Sequence, residues 1–347
     1  MIEPPPTDPA ETAASNITSK RSSPRAWYVF TIKMAAGAAL LALLVWHFNL
    51  RATFREIEHE RPLFFASTVA LYAGAQLVSS FRWQLLARLN RIVGDYREFA
   101  TYYFIGMFTN VFVPGLIGGD SLRAFYLGRR HNRMAEAVAS VVADRGIGLL
   151  TLFGFAAVAA LLIKAIHLPP VMLRVTLAAG AASLLAYAAG PAAAKLVERI
   201  PGRAGLLLAS VLPYMRQPLA LVPAVLLSAV VQFFLAVCQY LLGLGLGLGV
   251  PLTTFVLVVP MANVITSLPL TINGLGMREA AYLVLLGLAG VSHANAVALS
   301  LLYFAATLTA GLTGIVPFML TPVPTPADEV ELPHWKLEPA AEGSFEA

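Results

Sequence analysis

Two stretches decide how this chain is read: Asn110–Arg123, NVFVPGLIGGDSLR, and Asn263–Glu279, NVITSLPLTINGLGMRE. Each sets Asn, then Pro, then glycines, then an Arg near a carboxylate, inside sequence otherwise fit for lipid. Backbone leaves the helix at membrane depth only where protein or a wet cavity satisfies the freed N–H and C=O groups. Two such interruptions predict a polar site buried in a bilayer.

The rest of the chain agrees. Of its 347 residues 58% are hydrophobic and 12% charged, and the mean hydropathy is +0.73, which places it among integral membrane proteins. Long Leu/Ala-rich windows recur between residues 29 and 320, too long for the alternating strands of an outer-membrane barrel, so the fold is expected to be all-α and polytopic. Residues 1–26 and 321–347 are rich in Pro and polar or charged residues and read as disordered tails around a membrane domain at 27–320. The apolar run at 29–48 lacks a small-x-small cleavage site and reads as a retained anchor. Cys238 is the one cysteine, and the six histidines lack paired spacing, so no disulfide, metal or other cofactor is expected.

Eight apolar segments are expected at about 29–48, 63–87, 99–117, 137–163, 171–190, 218–248, 252–272 and 277–320, the last with a weak break at 291–295. If each crossed in turn, the loop carrying Arg123, Arg129, Arg130 and Arg133 would lie outside, against the positive-inside tendency. A re-entrant hairpin over about 99–128, turning at Pro114–Gly119, removes the conflict, and a second over 252–291 breaks at Pro269–Gly276. The chain then becomes two repeats, about 29–163 and 171–320, each with three spanning helices and one hairpin. An odd number of crossings inverts the second repeat, an arrangement common in secondary transporters. Plain spans joined by Pro/Gly loops are the alternative.

The site residues follow from the breaks. Gly118 and Gly119 permit close backbone approach, with Arg123 a turn beyond. Gly274 and Gly276 lead toward Arg278, where free N–H groups and the positive helix end suit a phosphate. Asn110 and Asn263 open the two breaks, and Pro114 and Pro269 each need do no more than end a helix. Asp120, after Gly-Gly and before a helical run, reads first as an N-cap, with a direct place in the site as the alternative. Asp144 and Arg145 sit inside the fourth segment and point about 100 degrees apart, so each needs a partner elsewhere: Arg123 or Arg278 for Asp144, Asp120 or Glu279 for Arg145. Such a network is either a static clamp or, through Asp144 or Glu279, a proton-coupling device. Arg82 and Trp83 read as a snorkelling cation and a belt aromatic. Gln232 and Gln239 share a helix face and suit a cavity or a cross-helix bond. The glycines at 243–249 lack the strand and helix of a nucleotide loop and read as a helix end.

FRWQLL at 81–86, FIGMFTNVFVPGLIGGDSLRAFYL at 104–127, SVVADRGIGL at 140–149 and LPLTINGLGMREAAYL at 268–283 together resemble the flippase-like membrane domain of lysylphosphatidylglycerol synthases, over about residues 30–320. The resemblance implies movement of a lipid or lipid-linked headgroup between leaflets. Those synthases carry a soluble transferase domain after the membrane part, and other relatives a glycosyltransferase. Here 27 residues follow Leu320, so neither activity is expected and the chain is read as no enzyme. The expected partner is a membrane lipid, or a lipid- or glycan-modifying enzyme if the chain is an accessory subunit; an intramembrane lipid-modifying enzyme is a further alternative. Cytoplasmic Arg-rich loops suit anionic lipid rather than nucleic acid. The expected location is the inner or plasma membrane, multi-pass, with both termini cytoplasmic.

Overall fold

The computed structural model describes residues 61–112, 118–200, 208–267 and 276–322. The expected anchor at 29–48, both tails, Pro114, Pro269 and Gly274 lie outside the described residues. Every regular element among the described residues is helical: α1 (Pro62–Leu89), α2 (Tyr96–Phe112), α3 (Gly118–Arg130), α4 (Met134–Leu162), α5 (Pro170–Ala188), α6 (Gly190–Val197), α7 (Leu212–Arg216), α8 (Val222–Gly245), α9 (Leu252–Ser267), α10 (Met277–Gly287), α11 (His293–Leu312) and α12 (Ile315–Leu320), with one 3-10 turn at Pro218–Leu221.

Local chemistry sets several of these boundaries. Pro62 and Pro170 open α1 and α5 at first-turn positions where no N–H is needed. Arg91, at φ 58°, closes α1, and the N–H of Ile92 returns to the carbonyl of Ala87. The side chain of Ser292 accepts from the N–H of Asn295 and opens α11, so the apolar stretch 277–320 is interrupted near the break expected at 291–295.

Among the described residues five helices are long and apolar enough to cross a bilayer: Pro62–Leu89, Met134–Leu162, Pro170–Ala188, Pro218–Gly245 and His293–Leu320. The chain is therefore a multi-pass, all-α membrane protein. By contrast α2, α3, α9 and α10 have 17, 13, 16 and 11 residues, against the roughly 20 that a crossing needs. Large apolar side chains such as Leu162, Leu184 and Leu226 point outward, where a bilayer removes the cost of exposing them to water.

The packing is internally duplicated. α1 to α4 lie against one another as α8 to α11 do: first on second, second on third, third on fourth, first on fourth. Contacts between the two sets are also reciprocal, since α4 packs on α9 as α11 packs on α2, and α4 on α8 as α11 on α1. At the centre α1 and α8 run antiparallel. Near one end Thr68 Oγ1 donates to the carbonyl of Cys238 at 3.1 Å, and near the other Arg82 Nη1 donates to Ser228 Oγ at 2.7 Å.

α2 and α3 form a closed hairpin. At one end Glu98 and His131 meet at 3.1 Å, and at the other the N–H of Gly119 donates to Asn110 Oδ1 at 2.8 Å. The helices touch through Gly106 and Gly119: a Cβ on Gly119 would stand 2.0 Å from the Gly106 carbonyl oxygen. The close approach expected of Gly119 thus serves helix packing. α2 is held from its other side by Gly311 and Gly314, where a Cβ on Gly314 would stand 2.1 Å from the Phe104 carbonyl oxygen. Small residues let helix backbones approach in this way where lipid provides no hydrophobic drive.

Candidate functional site

Asp144, in α4 and 1% exposed, is the hub of the first cluster. Its Oδ1 accepts from Arg82 Nε at 2.8 Å and its Oδ2 from Arg123 Nη2 at 3.1 Å. Arg123 also pairs through Nε with Asp120 Oδ1 at 3.1 Å. Asp120 is gripped in turn by Arg145, whose Nε and Nη2 reach its two oxygens at 2.6 and 2.8 Å. One chain of charge thus runs from Ser228 through Arg82, Asp144, Arg123 and Asp120 to Arg145, joining α1, α3, α4 and α8. The guanidinium of Arg123 also lies 5.0 Å from the Trp83 ring centroid and 4.9 Å from that of Tyr103, a contact that favours a desolvated cation. Trp83 is oriented by its Nε1–H, which donates to Ser140 Oγ at 3.0 Å.

Two expectations are corrected here. Arg82 and Trp83 are 7% and 0% exposed, so neither is a snorkelling or belt residue. A carboxylate as buried as Asp144 needs more than one cation to offset its lost hydration, and Arg82 is the nearer of its two partners. Asp120 does not cap α3. It lies within the first turn, both its oxygens are taken by guanidinium groups, and the side chain that receives an N–H at this end is Asn110. The pairings Asp144–Arg123 and Arg145–Asp120 are present, while Arg145–Glu279 and Asp144–Arg278 are not.

The second cluster surrounds Glu279 in α10, 1% exposed. Its Oε2 accepts the N–H of Gly276 at 2.6 Å and its Oε1 accepts from Ser300 Oγ at 3.0 Å. Gly276, at φ +80°, gives the chain the left-handed turn that opens α10. The Gly276 N–H, expected to face a phosphate, is therefore spent on the protein's own carboxylate. Arg278 Nε stands 3.6 Å from Glu279 Oε1, and its guanidinium lies 4.9 Å from the Phe304 ring centroid. Tyr282 donates from its hydroxyl to Gln239 Oε1, tying α10 to α8. Asn263 is half-buried in the last turns of α9 and accepts through its backbone carbonyl from Thr266; Gly118 is the first residue of α3.

Between the two helix sets Tyr72 of α1 meets Tyr303 of α11 edge-on at 6.3 Å. Sequence reasoning missed Arg82, Ser228, Tyr103, Ser300 and Phe304. For Arg82 the signal was present: seven residues before Leu89, it lies about 10 Å inside its helix at 1.5 Å per residue, the depth argument that singled out Asp144.

Ion-paired arginines inside helices of spanning length, between two duplicated sets of helices, define the chain as a polytopic membrane protein with a polar interior. The family model described as the lysylphosphatidylglycerol synthase TM region matches residues 30–314, and the chain belongs to that family. No curated protein and no solved structure gives a significant match.

Proposed function

We propose that this protein moves a phospholipid, or another lipid with an anionic headgroup, between the leaflets of the inner or plasma membrane. The lipid headgroup passes along the charged groups between the two helix sets, and its chains stay in the bilayer. An unescorted phosphate loses its hydration in hydrocarbon, a cost of many kcal/mol that only fixed donors and counter-charges can offset.

The observation that carries this reading is the depth of the charge. Asp120, at the tip of the α2–α3 hairpin, meets Arg145 eleven residues past Met134, about 16 Å along a spanning helix. Arg278, in the first turn of α10, meets Phe304 eleven residues past His293, again about 16 Å along. Both hairpins therefore reach the middle third of a hydrocarbon core about 30 Å thick. The short described limbs support a re-entrant reading of both, and the antiparallel α1 and α8 support an inverted second repeat.

Sidedness has its own support. Asn90, at the end of α1, donates to the Ser210 carbonyl at 2.8 Å and to the Tyr214 hydroxyl at 3.0 Å, while Arg133 Nη1 donates to the Asn90 carbonyl at 3.3 Å. These bonds gather the basic residues of Arg88–Arg97 and Arg129–Arg133 with the segment at Ser210–Arg216 at one end. Positive-inside bias makes that end cytoplasmic.

The test is reconstitution with a fluorescent phosphatidylglycerol, the outer leaflet being bleached by membrane-impermeant dithionite. Vesicles holding the protein are expected to lose the label of both leaflets, and protein-free vesicles that of the outer leaflet alone. Retention of the inner-leaflet label for every anionic lipid tried would refute transport. Chemical conversion of the lipid would identify an enzyme instead.

A further inference from the structure

The base of the first hairpin carries more positive charge than it pairs. Arg88, Arg91, Arg97, Arg129, Arg130 and Arg133 are all exposed, while the two stretches that hold them, 88–98 and 129–136, contain three carboxylates, Asp95, Glu98 and Glu136. Glu98 is engaged by His131, and none of the six arginines forms an ion pair among the described residues. The six share one rim, because Glu98 and His131 close the base of the α2–α3 hairpin and Arg133 Nη1 reaches the Asn90 carbonyl at the end of α1. A surface with so much charge of one sign attracts anions.

The chain brings anions of its own to this end. α11 passes α2 in the opposite sense, with Gly311 against Val111 and Gly314 against Phe104. α12 stays packed on α2, where the rings of Phe318 and Phe108 lie 5.3 Å apart, so the chain is heading for the Tyr96 end of α2 when it reaches Pro322. Residues 328–346 then hold six carboxylates, Asp328, Glu329, Glu331, Glu338, Glu342 and Glu346, against the single Lys336. Six residues separate Pro322 from Asp328, an extended reach of about 20 Å, and the reach to Glu346 is about 80 Å. The other tail does not match the rim, since residues 1–26 hold three acidic and three basic side chains.

We propose that residues 328–346 dock on the arginine rim at the base of the α2–α3 hairpin of the same chain. Each exposed ion pair contributes about 0–1 kcal/mol, so no single pair holds the tail. Several act together, because a short tether keeps the carboxylates at an effective concentration of order mM beside the rim. Anionic headgroups of the facing leaflet are the other occupant that such a rim attracts, at about 1 kcal/mol per arginine, and they lack the tether. The contact is open to solvent, so salt screens it: the Debye length falls from about 10 Å at 0.1 M to about 3 Å at 1 M. The inference does not depend on lipid passage.

The experiment measures distances between spin labels on Val93→Cys and Ser344→Cys in the full-length Cys238→Ala protein, held in micelles of an uncharged detergent. Val93 is 73% exposed and sits among the rim arginines, so its label reports on the rim without removing a charge. At about 0.1 M salt a narrow short-distance component is expected, and at about 1 M salt its loss. The same loss is expected at low salt when Asp328→Asn, Glu329→Gln, Glu331→Gln and Glu338→Gln are combined, and when Arg88→Gln, Arg91→Gln and Arg97→Gln are combined, with unfolding temperatures close to wild type. If the arginine variant does not fold, the tail variant alone decides. A broad distribution that salt leaves unchanged overturns the tail as occupant and leaves the rim to anionic lipid. A short component that survives both high salt and the neutralised tail overturns charge as its cause. Its appearance in a mixture of singly labelled copies puts a second copy's tail on the rim and overturns the same-chain assignment.

Discussion

The first half of the molecule holds its charges in a closed circuit, and the second half leaves its arginine with little to hold. Both clusters sit where the third helix of a set meets the fourth, and both arginines stack on aromatic rings. Asp144 on α4 faces Arg123, whereas the α11 residue facing the α10 charges is Ser300. One scaffold was thus duplicated and its chemistry then diverged. The first network ties four helices and gives the interior a framework, although Arg123 Nε and Nη1, like Arg278 Nε and Nη2, have no hydrogen-bond acceptor among the described residues.

Removing the hub should give the largest effect. Asp144→Asn leaves Arg82 without a carboxylate partner and Arg123 with Asp120 alone, and loss of one member of a buried ion pair costs about 3–5 kcal/mol. Thermal unfolding in detergent should show a large drop or no folded protein; a drop no larger than that of Ser300→Ala would erase the distinction between the halves.

Gly119→Ala comes next, because its Cβ would meet the Gly106 carbonyl oxygen at 2.0 Å and the Asn110 amide at 2.7 Å, both of which resist moving. Overpacking of this kind costs about 1–3 kcal/mol, and the variant should unfold earlier. Ser300→Ala removes one hydrogen bond from Glu279 and leaves the Gly276 N–H in place, a loss of about 1 kcal/mol. Arg145→Gln should be mildest for stability: its side chain is 47% exposed, and ion pairs so open contribute about 0–1 kcal/mol. A fall as large as that of Asp144→Asn would place Arg145 in the framework.

How much of this was legible in the sequence depends on the kind of signal. Hydropathy located the spans, and the count of Arg and Lys in the loops suggested the hairpins, because both properties are local. The Asp144–Arg123 and Arg145–Asp120 pairs were also reachable, since charge at membrane depth must find a partner and few were on offer. Arg82 was misjudged because it was read by its nearness to a helix end, although its depth of about 10 Å inside α1 matches the one that singled out Asp144. Ser300 and Phe304 carry no signal of their own: a serine and a phenylalanine in an apolar helix acquire a role only through the register of α11 against α10. The divergence between the halves was hidden for the same reason, as similar Asn-Pro-Gly-Arg spelling conceals different neighbours.

The most direct test of the central claim, that two oppositely oriented hairpins dip into the membrane and return, is cysteine labelling in a Cys238→Ala background. Single cysteines replace Arg97 and Arg130 at the two ends of the first hairpin, and Thr253 and Ser292 flanking the second. A membrane-impermeant maleimide, applied to sealed vesicles of known orientation, should label the first pair from the cytoplasmic side alone and the second pair from the opposite side alone. Labelling of Arg97→Cys and Arg130→Cys from opposite sides would make α2 and α3 a crossing and contradict the account.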